Sequence, residues 1–119
     1  MSQAAMLKAE AAPAAIDRAH LKQMTFGDRA LERELLQLFD RQADILMARM
    51  RTSEPAVLTT LAHTLKGSAL GVGATDVAQA AATAEQAASG SPVECAAALT
   101  ALAGTIAVAR AEIAALLAA

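Results

Sequence analysis

Leu99, Leu102, Ile106, Ala109, Ile113 and Leu116 recur at intervals of 3, 4, 3, 4 and 3 residues. That spacing puts all six on one edge of an α-helix. A helix with a single apolar edge must bury it, and an alternating 3-4 repeat is the seam of a helix bundle. The stretch Cys95 to Ala109 is uncharged, but about half of it is alanine. It is shorter than the ~20 residues of a membrane span, and Arg110 and Glu112 follow it. We therefore read it as a bundle helix and not as a membrane helix.

The rest of the chain agrees with this seam. Phe26 and Phe39 are its only aromatic residues, although 55% of its residues are hydrophobic. A core without large rings is built from Leu, Ile, Val, Met and Ala, and alanine has the highest helix propensity of all residues. Glycine and proline divide the chain into helical runs. Residues 1–12 are expected to be flexible, and Pro13 to open a short helix near 14–23. "TFGD", Thr25 to Asp28, breaks it. A long helix is expected over about 28–51, with Leu31, Leu35, Leu38, Phe39, Ile45, Leu46 and Met50 as its apolar positions. "TSEP", Thr52 to Pro55, offers a capping serine or threonine and a first-turn proline to a third helix over about 55–71. Gly71 and Gly73 end it. A fourth helix is expected from about 75 to 89, stopping at Gly90. "SPVE", Ser91 to Glu94, has the form of a capping box for the last, from about 92 to 117. Inward positions of the fourth helix, Val77, Ala81, Ala84 and Ala88, are small, so it should lie close against its neighbours. Short loops favour antiparallel neighbours. The predicted fold is all-α: an antiparallel up-down four-helix bundle over 13–119, with a short extra N-terminal helix.

Several function classes are disfavoured at once. A net charge of −2 leaves no basic footprint for nucleic acid. Cys95 is alone, so there is no disulfide framework, and no signal-peptide pattern opens the chain. We expect a cytoplasmic monomer. Met1 and the single-domain length favour a free-standing protein. His20 and His63 lack partners at metal-ligand spacing, so no metal site is expected. His20 reads as structural or solvated, Cys95 as a small bundle hydrophobe, and Met6, Met24, Met47 and Met50 as core fillers.

The third helix holds an anomaly, "LAHTLKGSALGVGA", Leu61 to Ala74. With Leu58 at zero on a helical wheel, Leu61, Ala62, Leu65, Ala69 and Val72 fall within about 60° of it. His63 falls at about 140°, Thr59 at about 100°, Lys66 at about 80°, Leu70 at about 120° and Gly67 at about 180°. Histidine, cation, bare backbone and apolar contact thus share the side away from the core. A mid-helix glycine costs roughly 1 kcal/mol relative to alanine. In a chain this rich in alanine, an exposed Gly67 points to something approaching the helix closely. Neutral imidazole is a good nucleophile near neutral pH, and can attack a phosphoryl group with Lys66 near the added anion. "GVGATD" is not G-x-G-x-x-G, and there is no G-x-x-x-x-G-K-[ST], so nothing here equips the chain to take phosphate from ATP.

"AHTLKGSALGVGA" resembles the signature of histidine-containing phosphotransfer (HPt) domains, roughly H-x-x-K-G-[SA] with a later Gly-Ala pair. His63, Lys66, Gly67, Ser68, Gly73 and Ala74 fall on it. Members of that family commonly have a glutamate 22 residues after the histidine, where Glu85 stands. Ile16 to Phe39 also looks like the family's N-terminal region, so the resemblance spans about 16–90. It implies a carrier that takes a phosphoryl group from a receiver-domain aspartate and passes it to another receiver in a phosphorelay. His63 would be the phosphoacceptor, through Nε2. Lys66 would support the phosphate and Gly67 would make room for the receiver, with Thr59, Leu70 and Leu36 in the docking patch. Mg²⁺ would belong to the receiver, and the chain itself would need no cofactor and have no enzyme activity. Glu85 would either accept a hydrogen bond from the imidazole or stand in solvent. Ala84 occupies a place where a larger apolar residue is usual. Two other readings are a phosphoacceptor module of a kinase, which would need a catalytic domain absent from this chain, and an adaptor without the chemistry.

Overall fold

The structure, a computed structural model, describes residues 14–119. The expectations for residues 1–12, Pro13 and Met6 lie outside them. Five helices follow in order: α1 Arg18–Met24, α2 Arg29–Met50, α3 Pro55–Val72, α4 Thr75–Ala87 and α5 Pro92–Ala118. Helices α2 to α5 form the all-α bundle, α2 packing on α3, α3 on α4, α4 on α5 and α5 back on α2. Helix α1 lies against α3.

Local chemistry explains most helix ends. Asp17 and Asp28 cap α1 and α2, each carboxylate accepting a backbone N–H in the first turn, from His20 and Leu31 respectively. Ser91 does the same for α5 through Glu94 N–H, with Pro92 in the first turn. Helix α3 departs from expectation. Its N-cap is Glu54, which makes no side-chain cap bond. The hydroxyls of Thr52 and Ser53 donate instead to Arg49 O, the end of the preceding helix. These two residues close α2 and do not open α3. Gly71 lies inside α3, and only Gly73 ends it, at φ 82°. A Cβ on Gly73 would sit 2.7 Å from Asp17 O, and Asp17 N–H donates to Gly73 O at 2.8 Å. Glycine is therefore required there both by the left-handed turn and by the close approach of the chain entering α1.

The apolar seams define the core. Leu58, Leu61, Ala62, Leu65, Ala69 and Val72 of α3 are all buried, as are Val77, Ala81, Ala84 and Ala88 on the α4 side and Leu102, Ile106, Ala109 and Ile113 of α5. Helix α5 is also long and apolar enough by composition to cross a membrane. In this structure it packs between α4 and α2, with Glu112 accepting a hydrogen bond from Ile16 N–H. Arg110 reaches across to α2, bonding Asp40 at 2.8 Å and Asp44 at 3.0 Å. The hydrogen bond to Asp40 is the main reason the Arg110 guanidinium holds its proton above the usual arginine range; partial burial opposes it.

The rotation of α2 differs from the sequence expectation. Its buried residues are Leu36, Phe39, Ala43, Leu46, Met47 and Met50. Leu31, Leu38 and Ile45 are exposed, and so is Met24 of α1, read above as a core filler. The apolar residues of α2 cover more than half of its circumference, so periodicity alone left its rotation open; contact with α3 and α5 selects the 36–39–43 edge. Leu36, at 4% exposure, is therefore core and not part of a docking patch.

Candidate functional site

His63 lies mid-way along α3, one residue past the buried Ala62, and its side chain is 66% exposed. The helical wheel alone dictates this: a residue 140° or so from the core direction has no neighbour on its own helix to cover it. What orients the ring comes from α4. Nδ1 of His63 lies 3.1 Å from Glu85 Oε2, while Lys66 Nζ lies 3.4 Å from Glu85 Oε1. One carboxylate thus receives both side chains, the histidine through one oxygen and the lysine through the other.

The small residues of α4 make this reach possible. Val77, Ala78, Ala81 and Ala84 are buried against the core. With no bulky side chain between the backbones, α4 rides close to α3, and Glu85, next to Ala84 and one turn beyond Ala81, lands on the flank beside His63. Ala84, noted above for its small size, belongs to this contact surface.

The hydrogen bond also sets the chemistry of the ring. A carboxylate only accepts, so Nδ1 carries a proton, and in the neutral ring the lone pair stands on Nε2. Nε2 makes no hydrogen bond among the described residues. In its neutral form the ring thus offers Nε2 as its nucleophilic nitrogen, on a side chain that is largely exposed. Lys66, half-buried, is held by Glu85 in this state rather than standing free beside Nε2.

Gly67 follows on the exposed side. A Cβ there would meet nothing within 4 Å, and its backbone is ordinary helix. Neither packing against the described residues nor backbone conformation calls for glycine. Leu70 is exposed on the same helix, and Thr59, half-buried, donates its hydroxyl to Pro55 O. On the other flank of Gly67, Ser68, Gly71 and Val72 line an apolar groove of about 270 Å³ with Met24, Leu35, Leu38 and Phe39. This groove was not foreseen, because it depends on the rotation of α2 and on α1 placing Met24 at its edge.

The remaining candidates lie apart from this face. His20 belongs to α1, with Nε2 buried and without a hydrogen-bond partner among the described residues. Cys95 is half-buried against the core. Among the described residues no three His, Cys, Asp or Glu side chains come together as a metal-binding set.

Comparison with known proteins bears on the whole arrangement. Residues 29–119 match the family model of the Hpt domain, so the match begins at α2 and includes α5. The fold is similar to the X-ray structure of a rice protein assigned as a histidine-containing phosphotransfer protein, with a TM-score of 0.79 and 21% sequence identity. That alignment covers 96% of this chain and 87% of the rice chain. No curated protein gives a significant match. A four-helix bundle carrying an outward-facing histidine on its second long helix, matched by the family model over all four bundle helices, places this chain in the Hpt domain family.

Proposed function

We propose that this chain takes a phosphoryl group from the aspartyl phosphate of one receiver domain onto His63 Nε2 and passes it to the aspartate of another. Family membership supplies the coarser part, a phosphotransfer role in phosphorelays. The observation that carries the rest is the His63–Glu85 contact, which leaves the lone pair of Nε2 facing outward. In the forward step Nε2 attacks phosphorus, an N–P bond forms, the aspartyl O–P bond breaks, and the carboxylate leaves with the bonding pair. The proton on Nδ1 stays shared with Glu85, which offsets the positive charge that the ring gains. Lys66, one turn along α3, can turn from Glu85 toward the added phosphate. Its contribution is electrostatic and modest at such an exposed site, roughly 0.2–1 kcal/mol.

The receiver supplies its own acidic pocket and Mg²⁺; this chain holds out the nucleophile. Gly67 gives the receiver room to approach the α3 backbone. Leu70 on one side and the groove carrying Leu38 on the other offer apolar contact, Leu38 taking the place first assigned to Leu36.

Incubation with a phosphorylated receiver domain tests this reading. Label should move to the chain, in a linkage labile to acid and stable to alkali. A folded His63→Gln protein should take up none. Equal labelling of that variant would overturn the assignment.

A further inference from the structure

The loop between α1 and α2 contains a residue in the wrong place for stability. Helix α1 is capped by Thr25, after which Phe26 N–H donates to Gln23 O at 3.3 Å and Gly27 N–H to Lys22 O at 2.9 Å. These two bonds make a Schellman turn, whose first residue past the cap adopts the left-handed conformation and is usually glycine. Here that residue is Phe26, at φ 54°, while the glycine stands one place later. Phe26 is the one non-glycine residue with positive φ among the described residues. Its side chain is also 95% exposed, so burial offsets nothing. A bulky residue in this conformation is strained, and an exposed ring is hydrated at a cost.

The turn is firmly built around it. Thr25 is buried, its hydroxyl donating to Leu21 O at 2.9 Å, and Asp28 N–H donates to Thr25 O before Asp28 caps α2. Phe26 is thus held out by a rigid support. Two residues earlier Met24, 51% exposed, lines the groove together with Leu38, Ser68 and Gly71. Ser68 and Gly71 lie about 7.5 and 12 Å along the α3 axis from His63. A partner covering a standard ~800 Å² patch centred near His63 extends this far.

We infer that Phe26 is a partner-contact residue, a preordered aromatic anchor that inserts into an apolar depression on the receiver domain and helps set which receiver is accepted. This rests on the proposed phosphotransfer function. Rigid aromatic side chains are favoured as interface anchors because little conformational freedom is lost when they bind.

The test exploits opposite signs. In Phe26→Gly the turn gains its favoured residue, so the thermal midpoint should stay at or above that of the wild type. The KM for transfer from a phosphorylated receiver domain that labels the wild-type chain should rise about tenfold, with kcat nearly unchanged. Phe26→Leu should recover most of the loss. Unchanged transfer by Phe26→Gly would overturn the anchor while leaving the phosphotransfer reading intact. A fall in midpoint with kcat and KM altered together would make Phe26 structural, and overturn it too. So would a wild-type dimer that Phe26→Gly dissociates without affecting transfer, since the occupant would then be a second copy. If no receiver labels the wild-type chain, the phosphotransfer reading falls and this inference with it.

Discussion

Two polar clusters on the bundle surface are near mirror images. In one, a single guanidinium, Arg110, holds two carboxylates, Asp40 and Asp44, and ties α5 to α2. In the other, a single carboxylate, Glu85, holds two basic side chains, His63 and Lys66, and ties α4 to α3. Both are partly exposed, and both join neighbouring helices. Their difference lies in what is left over. Arg110 has no nucleophilic atom and keeps its charge throughout the accessible pH range. The Glu85 cluster leaves Nε2 of an exposed imidazole without a partner among the described residues, and in the neutral ring that atom carries the lone pair. A charged contact between helices is structural or functional according to whether any reactive atom remains outside it.

The clearest way to break the comparison is to separate α4 from α3. Ala81 is fully buried on α4, one turn before Glu85. Ala81→Leu should cost about 1–3 kcal/mol through overpacking, read as a lower denaturation midpoint. It should also draw Glu85 away, so that the His63 ring loses its preference for the Nδ1–H tautomer; ¹⁵N shifts of the imidazole report this directly. A variant that keeps the tautomer would show that close packing of α4 is not what orients the ring.

Glu85→Gln is a gentler change. The amide oxygen can still accept from Nδ1, but the charge that balances an imidazolium is gone. Hydrogen bonds to charged groups are worth about 1.5–3 kcal/mol, so transfer should slow by roughly tenfold while stability changes little. Stopped-flow transfer kinetics and urea titration of the same protein separate the two effects. Equal loss of both would put Glu85 in the same class as Asp40.

The smallest effect is expected at the other cluster. Arg110→Gln should lower stability by about 0.2–1 kcal/mol, since the group is well exposed and screened, and should leave phosphotransfer unchanged. The sign of its pH dependence follows from the raised Arg110 pKa. The contribution is fully present below the ordinary arginine range and fades only as pH rises past it. The stability difference between Arg110→Gln and the wild-type chain should therefore stay flat from pH 6 to 9, measured by thermal denaturation.

Individual residues show how far a one-dimensional reading reaches. The third and last helices were legible nearly residue by residue, because most of their leucine and isoleucine side chains fall along one edge, even though alanine makes the rest of the last helix apolar as well. Helix α2 was not: Leu31, Leu38 and Ile45 are as apolar as Leu36, Phe39 and Leu46, and the pattern cannot rank them. Thr52 and Ser53 were legible as cap residues, but not as caps of the helix before them, since the same hydroxyl can serve either end. The strain at Phe26 was hidden as well. "TFGD" announces a turn, but nothing in it shows that Phe26 as well as Gly27 takes a left-handed conformation.

The sequence by itself determined the helices, the outward direction of His63, Lys66, Gly67 and Leu70, and the closeness of α4 implied by its alanines. All of these follow from a fixed 100° or so per residue and from side-chain size, which are local. Only the tertiary structure decided that Glu85 reaches both His63 and Lys66, that Leu38 and not Leu36 is exposed, and that Phe26 is held out in a left-handed turn. Each depends on how a helix is rotated about its own axis, or on the distance between two backbones. Those are set by contacts between residues far apart in the chain, which the periodicity of one helix does not encode.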